Sequence, residues 1–261
     1  MNSLKELSST DYGLIGYPLE HSFSKKFFTE LFATRGEKKS YDNFALPELT
    51  PEALYSLVLL NPCLKGFNVT APYKEAVMEY LDSTDPVATE AGAVNTVRVV
   101  RDAGGRVLRL EGFNTDVEGF RKSIMPLVKH FAQGTGAIVL GTGGASKAAV
   151  AALRQLGFNP VRVSRRKGDE GIVSYSDLGA EFMAAHPVVV NATPLGTYPA
   201  VDGCPALPFE LLPQGAVCFD MVYNPARTEF MRRAEAAGAV TSNGLEMLHL
   251  QALASLSIWE Q

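Results

Sequence analysis

Residues 136–157 read GAIVLGTGGASKAAVAALRQLG and combine an apolar run, a glycine-rich turn and a helical pattern. The apolar run is short and ends at a glycine, which is typical of a buried strand. Alanine and leucine then recur at helical spacing, which favours a helix after the turn. A strand, a glycine-rich turn and a helix in this order predict the first unit of a Rossmann-like, doubly wound α/β domain.

The turn itself contains Gly141, Gly143 and Gly144. Glycine permits a positive φ and a close approach of the backbone to a pyrophosphate, and the helix that follows offers unpaired N–H groups. The match to G-x-G-x-x-G is incomplete because Ser146 occupies the sixth position, and a tight strand–helix loop without a ligand is the alternative. The strand–turn–helix context favours dinucleotide binding.

The end of the next strand pattern indicates which dinucleotide is bound. It carries Ser164, Arg165 and Arg166 with Lys167 behind them, and the first acidic residue is Asp169. An NAD site needs a carboxylate here for the ribose 2′-hydroxyl, whereas arginine pairs with a 2′-phosphate. A solvated basic loop would show the same pattern, but we favour NADP.

Strand-like runs alternate with helical patterns along the whole chain. Helices are predicted at residues 50–60, where Thr50 is the expected N-cap, and at residues 73–82, which read YKEAVMEYLD. Too many strands precede the glycine-rich turn for a single Rossmann unit. We therefore predict two α/β domains with mostly parallel sheets, the second beginning near Asp116.

The composition excludes several classes of function. The 261 residues are 46% hydrophobic, and their formal net charge of −4 provides no basic field for nucleic acid or an anionic membrane. The N-terminal sequence MNSLKELSST lacks the apolar core of a signal peptide, and three cysteines without a CxxC pair suit a reducing compartment. We therefore expect a cytoplasmic protein that has no metal site and acts on a small molecule.

Polar side chains follow several strand patterns in the first half of the chain. They are Ser22, Ser24, Asn68, Thr70, Asn95, Thr96, Asn114, Thr115 and Asp116. Because the carboxyl ends of strands form the ligand edge of an open α/β sheet, hydroxyls and amides that converge there suit a small polyhydroxylated or carboxylate ligand. A helix N-cap or a turn would explain any one of these positions by itself.

Lys74 and Asp116 are the ionisable pair among these polar residues. A lysine beside a carboxylate can carry a proton to or from a substrate hydroxyl, as hydride transfer at an alcohol carbon requires. The alternative for Lys74 is a surface lysine in a first helical turn, although the positive end of the helix dipole disfavours a cation there. We therefore predict that the two residues act together in catalysis.

Eight motifs carry a family resemblance. From about residue 13 to about residue 255 they read, in order, HSFS, NVTAPYK, AGAVNTV, NTDVEGF, VLGTGGASKAAV, NATPLG, DMVYNP and NGLEMLHLQA. With these motifs the chain resembles the shikimate dehydrogenase family. The resemblance implies the NADP-dependent, reversible reduction of 3-dehydroshikimate to shikimate, on the pathway to chorismate and the aromatic amino acids.

The resemblance also implies roles for individual residues. The catalytic residues would be Lys74 and Asp116, with Lys74 as the proton carrier. The substrate would be bound by Ser22, Ser24, Asn68, Thr70, Asn95, Asp116, Tyr223 and Gln251. NADP would be bound by Gly141, Gly143, Gly144, Ala145, Ser164, Arg165, Lys167, Asn191, Thr193, Met221 and Gly244. Ser164 stands where the family usually has asparagine, so contacts to the adenosine phosphate would differ in detail.

A division into two domains follows from the same resemblance. Residues 1–115 would form a substrate-binding domain that the C-terminal helix at 244–261 completes, and residues 116–243 would form the NADP-binding Rossmann domain. Closure of the domains would bring C4 of the nicotinamide to the substrate carbon. The protein would act as a monomer or a homodimer.

Three other interpretations share part of this pattern. A quinate/shikimate dehydrogenase that uses NAD has the same motifs, but the basic strand end at Arg165 argues against NAD. A non-catalytic relative that senses NADP or a metabolite need not keep both Lys74 and Asp116. A folate-linked or tRNA-linked relative with a similar Rossmann domain does not explain HSFS together with NVTAPYK. Shikimate dehydrogenase activity is therefore the leading hypothesis.

Overall fold

The computed structural model describes residues 10–20, 22–165 and 171–261. The strands in these ranges are β1 (Tyr12–Gly16), β2 (Tyr41–Ala45), β3 (Gly66–Val69), β4 (Ser83–Thr84), β5 (Thr96–Arg101), β6 (Val107–Phe113), β7 (Gly136–Leu140), β8 (Asn159–Ser164), β9 (Ile172–Ser174), β10 (Val188–Asn191), β11 (Val217–Asp220) and β12 (Val240–Ser242). The α-helices are α1 (Phe23–Arg35), α2 (Pro51–Leu60), α3 (Pro86–Ala91), α4 (Thr115–Val128), α5 (Gly144–Gln155), α6 (Ala180–Ala185), α7 (Glu229–Ala236) and α8 (Leu245–Trp259). The predicted α/β class is confirmed.

The chain divides into two compact units. The described residues up to Thr115 form the first unit together with Ser255–Gln261, and Asp116–Ala254 form the second. Helix α8 contributes its first ten residues to the second unit and its last turn to the first.

The sheet of the first unit has the strand order β2-β1-β3-β5-β6-β4. Strands β2, β1 and β3 run parallel, and β4 is parallel to β6, whereas β5 is antiparallel to both β3 and β6. This sheet is therefore mixed. Its core is a cluster of apolar side chains from the strands and from α2 and α3, including Ile15, Leu54, Val58, Phe67, Ala88, Val97 and Leu110.

Local signals in the sequence explain where the helices of the first unit begin and end. Helix α1 ends at Arg35, and its C-cap is Gly36, which has a φ of 67° and whose N–H donates to the carbonyl of Ala33. Helix α2 begins as predicted, because the Thr50 hydroxyl accepts from the Ala53 N–H and proline occupies the first helical position.

The α-helix predicted at residues 73–82 is wrong. The structure has only a short 3-10 helix, Ala76–Tyr80, and Lys74 lies in the turn before it. In an α-helix the Lys74 carbonyl would accept from the Met78 N–H, but here it accepts from the Val94 N–H at 2.7 Å. Met78 bonds instead to the Glu75 carbonyl. Because a tertiary hydrogen bond takes this carbonyl, the helix-dipole argument about Lys74 does not apply.

The sheet of the second unit is entirely parallel, with the strand order β12-β11-β10-β7-β8-β9. The chain enters at β7, builds outward through β8 and β9, and then crosses to the other side of β7 for β10, β11 and β12. The order therefore reverses between β7 and β10, which is where a doubly wound sheet binds its ligand. The predicted Rossmann-like domain is confirmed.

Candidate active site

The glycine-rich turn lies at the carboxyl end of β7, beside the reversal in strand order. Gly141 has a φ of +114°, which an L side chain rarely adopts, and a Cβ there would lie 3.1 Å from the Ala192 carbonyl oxygen. The hydroxyl of Ser146, which is fully buried, donates to the Gly141 carbonyl at 2.7 Å. The serine at the sixth motif position therefore braces the turn from inside the structure.

Helix α5 begins directly after this turn. Its N-cap is Gly143, which has no side chain to bond the first N–H groups, and Ala145 lies in the first helical turn. A Cβ built on Gly143 would meet no atom within 4 Å among the described residues. The helix N-terminus thus combines N–H groups that have no side-chain cap with open space, which fits the phosphate of a dinucleotide.

Strand β8 places Ser164 and Arg165 next to the glycine-rich turn. The Gly141 N–H donates to the Val163 carbonyl at 2.9 Å, so the end of β8 lies directly beside the turn. Arg165 is exposed. Burial raises the pKa of Tyr175, and the positive charge of Arg165 opposes this rise. The position suits a contact to a 2′-phosphate. Lys167, also predicted for this role, lies outside the described residues.

On the other side of the reversal, Asn191 and Asp220 end β10 and β11. Both side chains are fully buried. The Asn191 amide donates to Asp220 Oδ1 at 2.9 Å, and its carbonyl oxygen accepts from the N–H and hydroxyl of Thr193. Asp220 also accepts from the Val222 N–H at 3.0 Å and from the Thr228 hydroxyl at 2.5 Å. These contacts orient Asn191 and Thr193, which are predicted to line the nicotinamide side.

The carboxyl group of Asp220 is in an unusual electrostatic environment. Burial raises its pKa to about 6, against the effect of the hydrogen bonds from Thr228, Val222 and Asn191, which lower it. Among the residues that the structure describes, no cation contributes to this balance. The carboxyl group is therefore held in place by hydrogen bonds from neutral donors.

Met221 and Gly244 are held together by close backbone packing. A Cβ on Gly244 would lie 2.2 Å from the Met221 carbonyl oxygen, so only glycine fits there without a shift of the backbone. The Gly244 N–H donates to the Val222 carbonyl, and the Met221 N–H donates to the Asn191 carbonyl. Backbone contacts therefore link the predicted cofactor residues Asn191, Met221 and Gly244 within the second unit.

In the first unit, a buried hydrogen-bond network joins the strand ends. We call it the strand-end network and define it by its members: Tyr41, Asn68, Asn95, Thr96, Thr115 and Ser255. Asn68 lies at its centre, with its amide 3.1 Å from the Asn95 carbonyl, 3.1 Å from the Thr96 hydroxyl and 2.9 Å from the Ser255 hydroxyl. Its carbonyl oxygen accepts from the Tyr41 hydroxyl at 2.9 Å.

Asn95 is held by the residue that begins α4. Its amide donates to the Thr115 hydroxyl at 2.9 Å, and its side-chain oxygen accepts from the Thr115 N–H at 2.7 Å. The Thr96 hydroxyl donates to the same oxygen at 3.1 Å. Since this oxygen already accepts several bonds, a substrate contact from Asn95 has to come from its amide nitrogen.

Ser22 and Ser24, the two residues predicted to bind the substrate carboxylate, lie at the start of α1. Ser22 is the N-cap residue, but its hydroxyl makes no capping hydrogen bond, so its side chain does not have the structural role that competed with binding. Burial raises the pKa of Tyr41, and a hydrogen bond with Ser24 opposes this rise. The Tyr41 hydroxyl donates to Asn68, and the sequence predicts both Ser24 and Asn68 as substrate ligands.

The remaining predicted residues are placed as follows. Thr70 comes directly after β3, where its N–H donates to the Ile15 carbonyl. Asp116 is buried in the first turn of α4. Tyr223 is partly buried, which raises the pKa of its hydroxyl. Gln251 is on α8 in the second unit and donates to the Leu248 carbonyl. Lys74 belongs to the first unit and Asp116 to the second, and their pairing stays a prediction.

Comparison with known proteins decides the family. The shikimate dehydrogenase (NADP(+)) of Desulforamulus reducens is 35% identical over 266 residues, which cover 95% of this chain and 88% of the relative. The chain belongs to the shikimate dehydrogenase family. A family model described as the shikimate dehydrogenase substrate binding domain matches residues 14–97.

Two solved dehydrogenase structures show the same fold. The shikimate 5-dehydrogenase of Thermus thermophilus, solved in complex with NADP(H) and shikimate, is 31% identical with a TM-score of 0.79, covering 96% of this chain and 93% of that one. The quinate dehydrogenase of Corynebacterium glutamicum, solved in complex with NAD, is 28% identical with a TM-score of 0.81, covering 96% and 93%.

Four residues of this shikimate dehydrogenase family member join the candidate site without having been predicted as ligands. They are Tyr41, Thr96, Asp220 and Ser255, and all are buried. Asp220 had a usable signal, because a carboxylate that ends an apolar strand needs hydrogen-bond partners. Ser255 had a weaker one, as a polar residue on a largely apolar helix. Tyr41 looks from the sequence like any aromatic residue of a strand.

Proposed function

We propose that this member of the shikimate dehydrogenase family catalyses the reversible reduction of 3-dehydroshikimate to shikimate with NADPH, in the biosynthesis of chorismate and the aromatic amino acids. The observation that carries the proposal is the 35% identity to an NADP(+) shikimate dehydrogenase over 95% of the chain. The oriented polar groups at the strand ends of the first unit support it, because a carboxylate with ring hydroxyls needs such partners.

The second unit supplies the binding site for NADP in this proposal. The N-terminus of α5, with Gly141, Gly143, Gly144 and Ala145, holds the pyrophosphate. The 2′-phosphate is bound by Ser164 and Arg165, with Lys167 as a further cation. Asn191, Thr193, Met221 and Gly244 line the nicotinamide side. The cofactor supplies or accepts the hydride.

The first unit supplies most of the substrate site. The hydroxyls of Ser22 and Ser24 bind the carboxylate, and Asn68, Thr70, Asn95 and Asp116 hold the ring hydroxyls, with Tyr223 and Gln251 as further contacts. Asn68 acts as an acceptor, because its amide is used within the protein while its carbonyl oxygen has a second lone pair beyond the one that Tyr41 uses. In this proposal residues 1–115 with the helix at 244–261 form the substrate domain, and residues 116–243 form the NADP domain.

Lys74 carries the proton in this proposal. In the reducing direction its ammonium group donates a proton to the C3 oxygen as the carbonyl carbon accepts hydride, and in the oxidising direction its neutral amine takes that proton back. Asp116 keeps the Lys74 side chain oriented toward the reacting oxygen in this proposal. Lys74 lies in a turn whose backbone is fixed by the bond from its carbonyl to the Val94 N–H, which supports a precise placement.

An NAD-linked quinate dehydrogenase is the second candidate function. The similarity to the Corynebacterium glutamicum quinate dehydrogenase, with its TM-score of 0.81, favours it. Arg165 at the end of β8 speaks against NAD, because a guanidinium there lacks the 2′-phosphate that would neutralise it. The two candidates differ in one substrate hydroxyl and one cofactor phosphate.

A single assay separates the candidates. The purified chain is mixed with shikimate or quinate, each with NADP or NAD, and absorbance in the reduced-nicotinamide band is followed. We expect rapid reduction with shikimate and NADP only. Faster turnover with quinate or NAD would establish the second candidate. Binding of NADPH without turnover of either substrate would indicate a sensor and refute the proposed activity.

The proposal also covers the setting in which the enzyme works. We propose a cytoplasmic monomer or homodimer, consistent with the free thiols of Cys63, Cys204 and Cys218. Within the described ranges, no helix is both long and apolar enough to cross a bilayer. Size-exclusion chromatography with light scattering will distinguish the monomer from the dimer.

A further inference from the structure

Ser255 occupies a singular place in the strand-end network. The other members come from β2, β3, the start of β5 and the start of α4, whereas Ser255 lies on α8, 187 residues away from Asn68 in the chain. The side chain is fully buried. Its hydroxyl lies 2.9 Å from the Asn68 amide, 2.8 Å from the Thr96 hydroxyl and 3.1 Å from the Thr115 hydroxyl.

The chemistry of these contacts sets a direction for the hydrogen bonds. The Asn68 amide can only donate, so the Ser255 oxygen accepts from it. The Ser255 hydroxyl also lies within hydrogen-bond distance of the Thr96 and Thr115 hydroxyls, and in each pair either oxygen can be the donor. Both threonine hydroxyls donate onward to the side-chain oxygen of Asn95, at 3.1 Å each. A continuous set of hydrogen bonds therefore links Asn68 through Ser255 and the two threonines to Asn95.

We propose that Ser255 is a positioning residue, which holds the Asn68 and Asn95 side chains in the orientation that meets the ring hydroxyls of the substrate. The inference rests on the proposed function, because it gives these two asparagines their ligand. It extends that function to a residue that touches neither substrate nor cofactor and acts through its neighbours. With Ser255 in place, the Asn68 amide is used internally and its carbonyl oxygen is left to accept from the substrate.

Alanine would serve the packing of this position about as well, since a methyl group fits a fully buried helix site. The cost of serine is the burial of a hydroxyl, which is favourable only when that hydroxyl is hydrogen-bonded. Removing it leaves one N–H of the Asn68 amide with a weaker set of acceptors and breaks the link to Thr96 and Thr115. We therefore expect substrate affinity to suffer more than the chemical step, because the groups that carry the proton are not in the network.

The test compares Ser255→Ala with Ser257→Ala, an exposed serine on the same helix. The Michaelis constants for shikimate and NADP, the turnover number and the melting temperature are measured for both variants and the wild type. For Ser255→Ala we expect the KM for shikimate to rise about tenfold, as the loss of one buried hydrogen bond implies, while the KM for NADP changes less than about twofold and kcat less than about threefold. Ser257→Ala should match the wild type in all four quantities.

A double-mutant cycle with Asn68→Ala shows whether Ser255 acts through its neighbour. In the Asn68→Ala background, Ser255→Ala should raise the KM for shikimate less than half as much as it does in the wild type. Equal effects in both backgrounds would overturn the proposal. If Ser255→Ala does not fold, Ser255→Cys keeps the shape of the side chain, with a somewhat larger sulfur atom, and weakens the hydrogen bonds. The same rise in KM is expected.

The outcomes separate the two levels of inference. A wild type that oxidises shikimate with NADP, combined with an unchanged KM in Ser255→Ala, overturns the role of Ser255 and leaves the proposed function intact. Parallel losses in both Michaelis constants and in kcat would indicate a general structural defect and would also overturn it. A wild type without shikimate turnover refutes the proposed function and the role of Ser255 together.

Discussion

Replacing the buried carboxyl of Asp220 by an amide should remove a pH-dependent component of stability. Asp220 ends β11, is fully buried, and accepts hydrogen bonds from Asn191, Val222 and Thr228. An asparagine in its place keeps the oxygen that accepts from Asn191 and Val222, and its amide can donate to the Thr228 hydroxyl. The variant Asp220→Asn is therefore nearly isosteric and has no charge to bury.

The magnitude follows from the pKa of the group. Burial raises the pKa of Asp220 from 3.8 to about 6, which corresponds to about 3 kcal/mol. The folded state binds the proton more tightly than the unfolded chain, so the stabilising contribution is fully present below about pH 4. That contribution is lost as the pH rises through about 6. Above this pH the wild type carries the full cost of a buried carboxylate, and Asp220→Asn does not.

The assay is urea denaturation of the wild type and the variant at several pH values between about 4.5 and about 7.5. The difference in unfolding free energy isolates Asp220, because the other titrating groups are common to both proteins. It should shift in favour of Asp220→Asn by about 2 to 3 kcal/mol across this range and then level off. Asp202→Asn, at an exposed position, is the control for loss of one negative charge. A difference that does not change with pH would refute the reasoning.

Three further predictions concern catalysis and cofactor binding. Lys74→Ala should lower kcat about 100-fold or more with little change in the KM for shikimate, because it removes the proton carrier, whereas Lys65→Ala at an exposed lysine should not. Arg165→Ala should raise the KM for NADP about tenfold and leave the KM for NAD nearly unchanged, because only NADP has the 2′-phosphate. Gly143→Ala should raise the KM for NADP about tenfold with little change in melting temperature, because the added methyl group enters open space at the helix N-terminus. Gly179→Ala changes another glycine N-cap with open space and should leave the KM for NADP unchanged. Steady-state kinetics and thermal unfolding check all three.

For each of these three variants, a different result would contradict the role proposed for the residue. A raised KM with normal kcat would make Lys74 a binding residue rather than the proton carrier. Equal effects of Arg165→Ala on the KM for NADP and the KM for NAD would show that Arg165 does not bind the 2′-phosphate. Unaltered NADP kinetics in Gly143→Ala would show that the phosphate does not approach the N-terminus of α5.

Much of the second unit could be predicted from local sequence. The strand, glycine-rich turn and helix of residues 136–157 are adjacent in the chain. Each has its own signal: an apolar run, a glycine at position 141 where φ is positive, and helical periodicity. The start of α2 was predictable for the same reason, because Thr50 caps a helix only a few residues away. Such contacts are short-range, so they leave a pattern in neighbouring letters.

The error at residues 73–82 shows where this kind of prediction ends. The residues have the composition of a helix, but the Val94 N–H takes the Lys74 carbonyl that an α-helix would need. The bond joins Lys74 to Val94, 20 residues further along the chain, and neither segment has a sequence pattern that predicts it. Intrinsic propensity was overridden by a tertiary hydrogen bond.

By itself, the sequence determined the α/β class, the Rossmann-like unit, the family resemblance and most of the residues proposed as ligands. Only the tertiary structure decided how those ligands are oriented: Ser255 reaches Asn68 across 187 residues, and the buried Asp220 meets Thr228 and Asn191. Periodicity and motifs report what a residue does with its chain neighbours. A buried hydrogen bond between distant segments depends on how the strands and helices pack, and packing has no local signature in the chain.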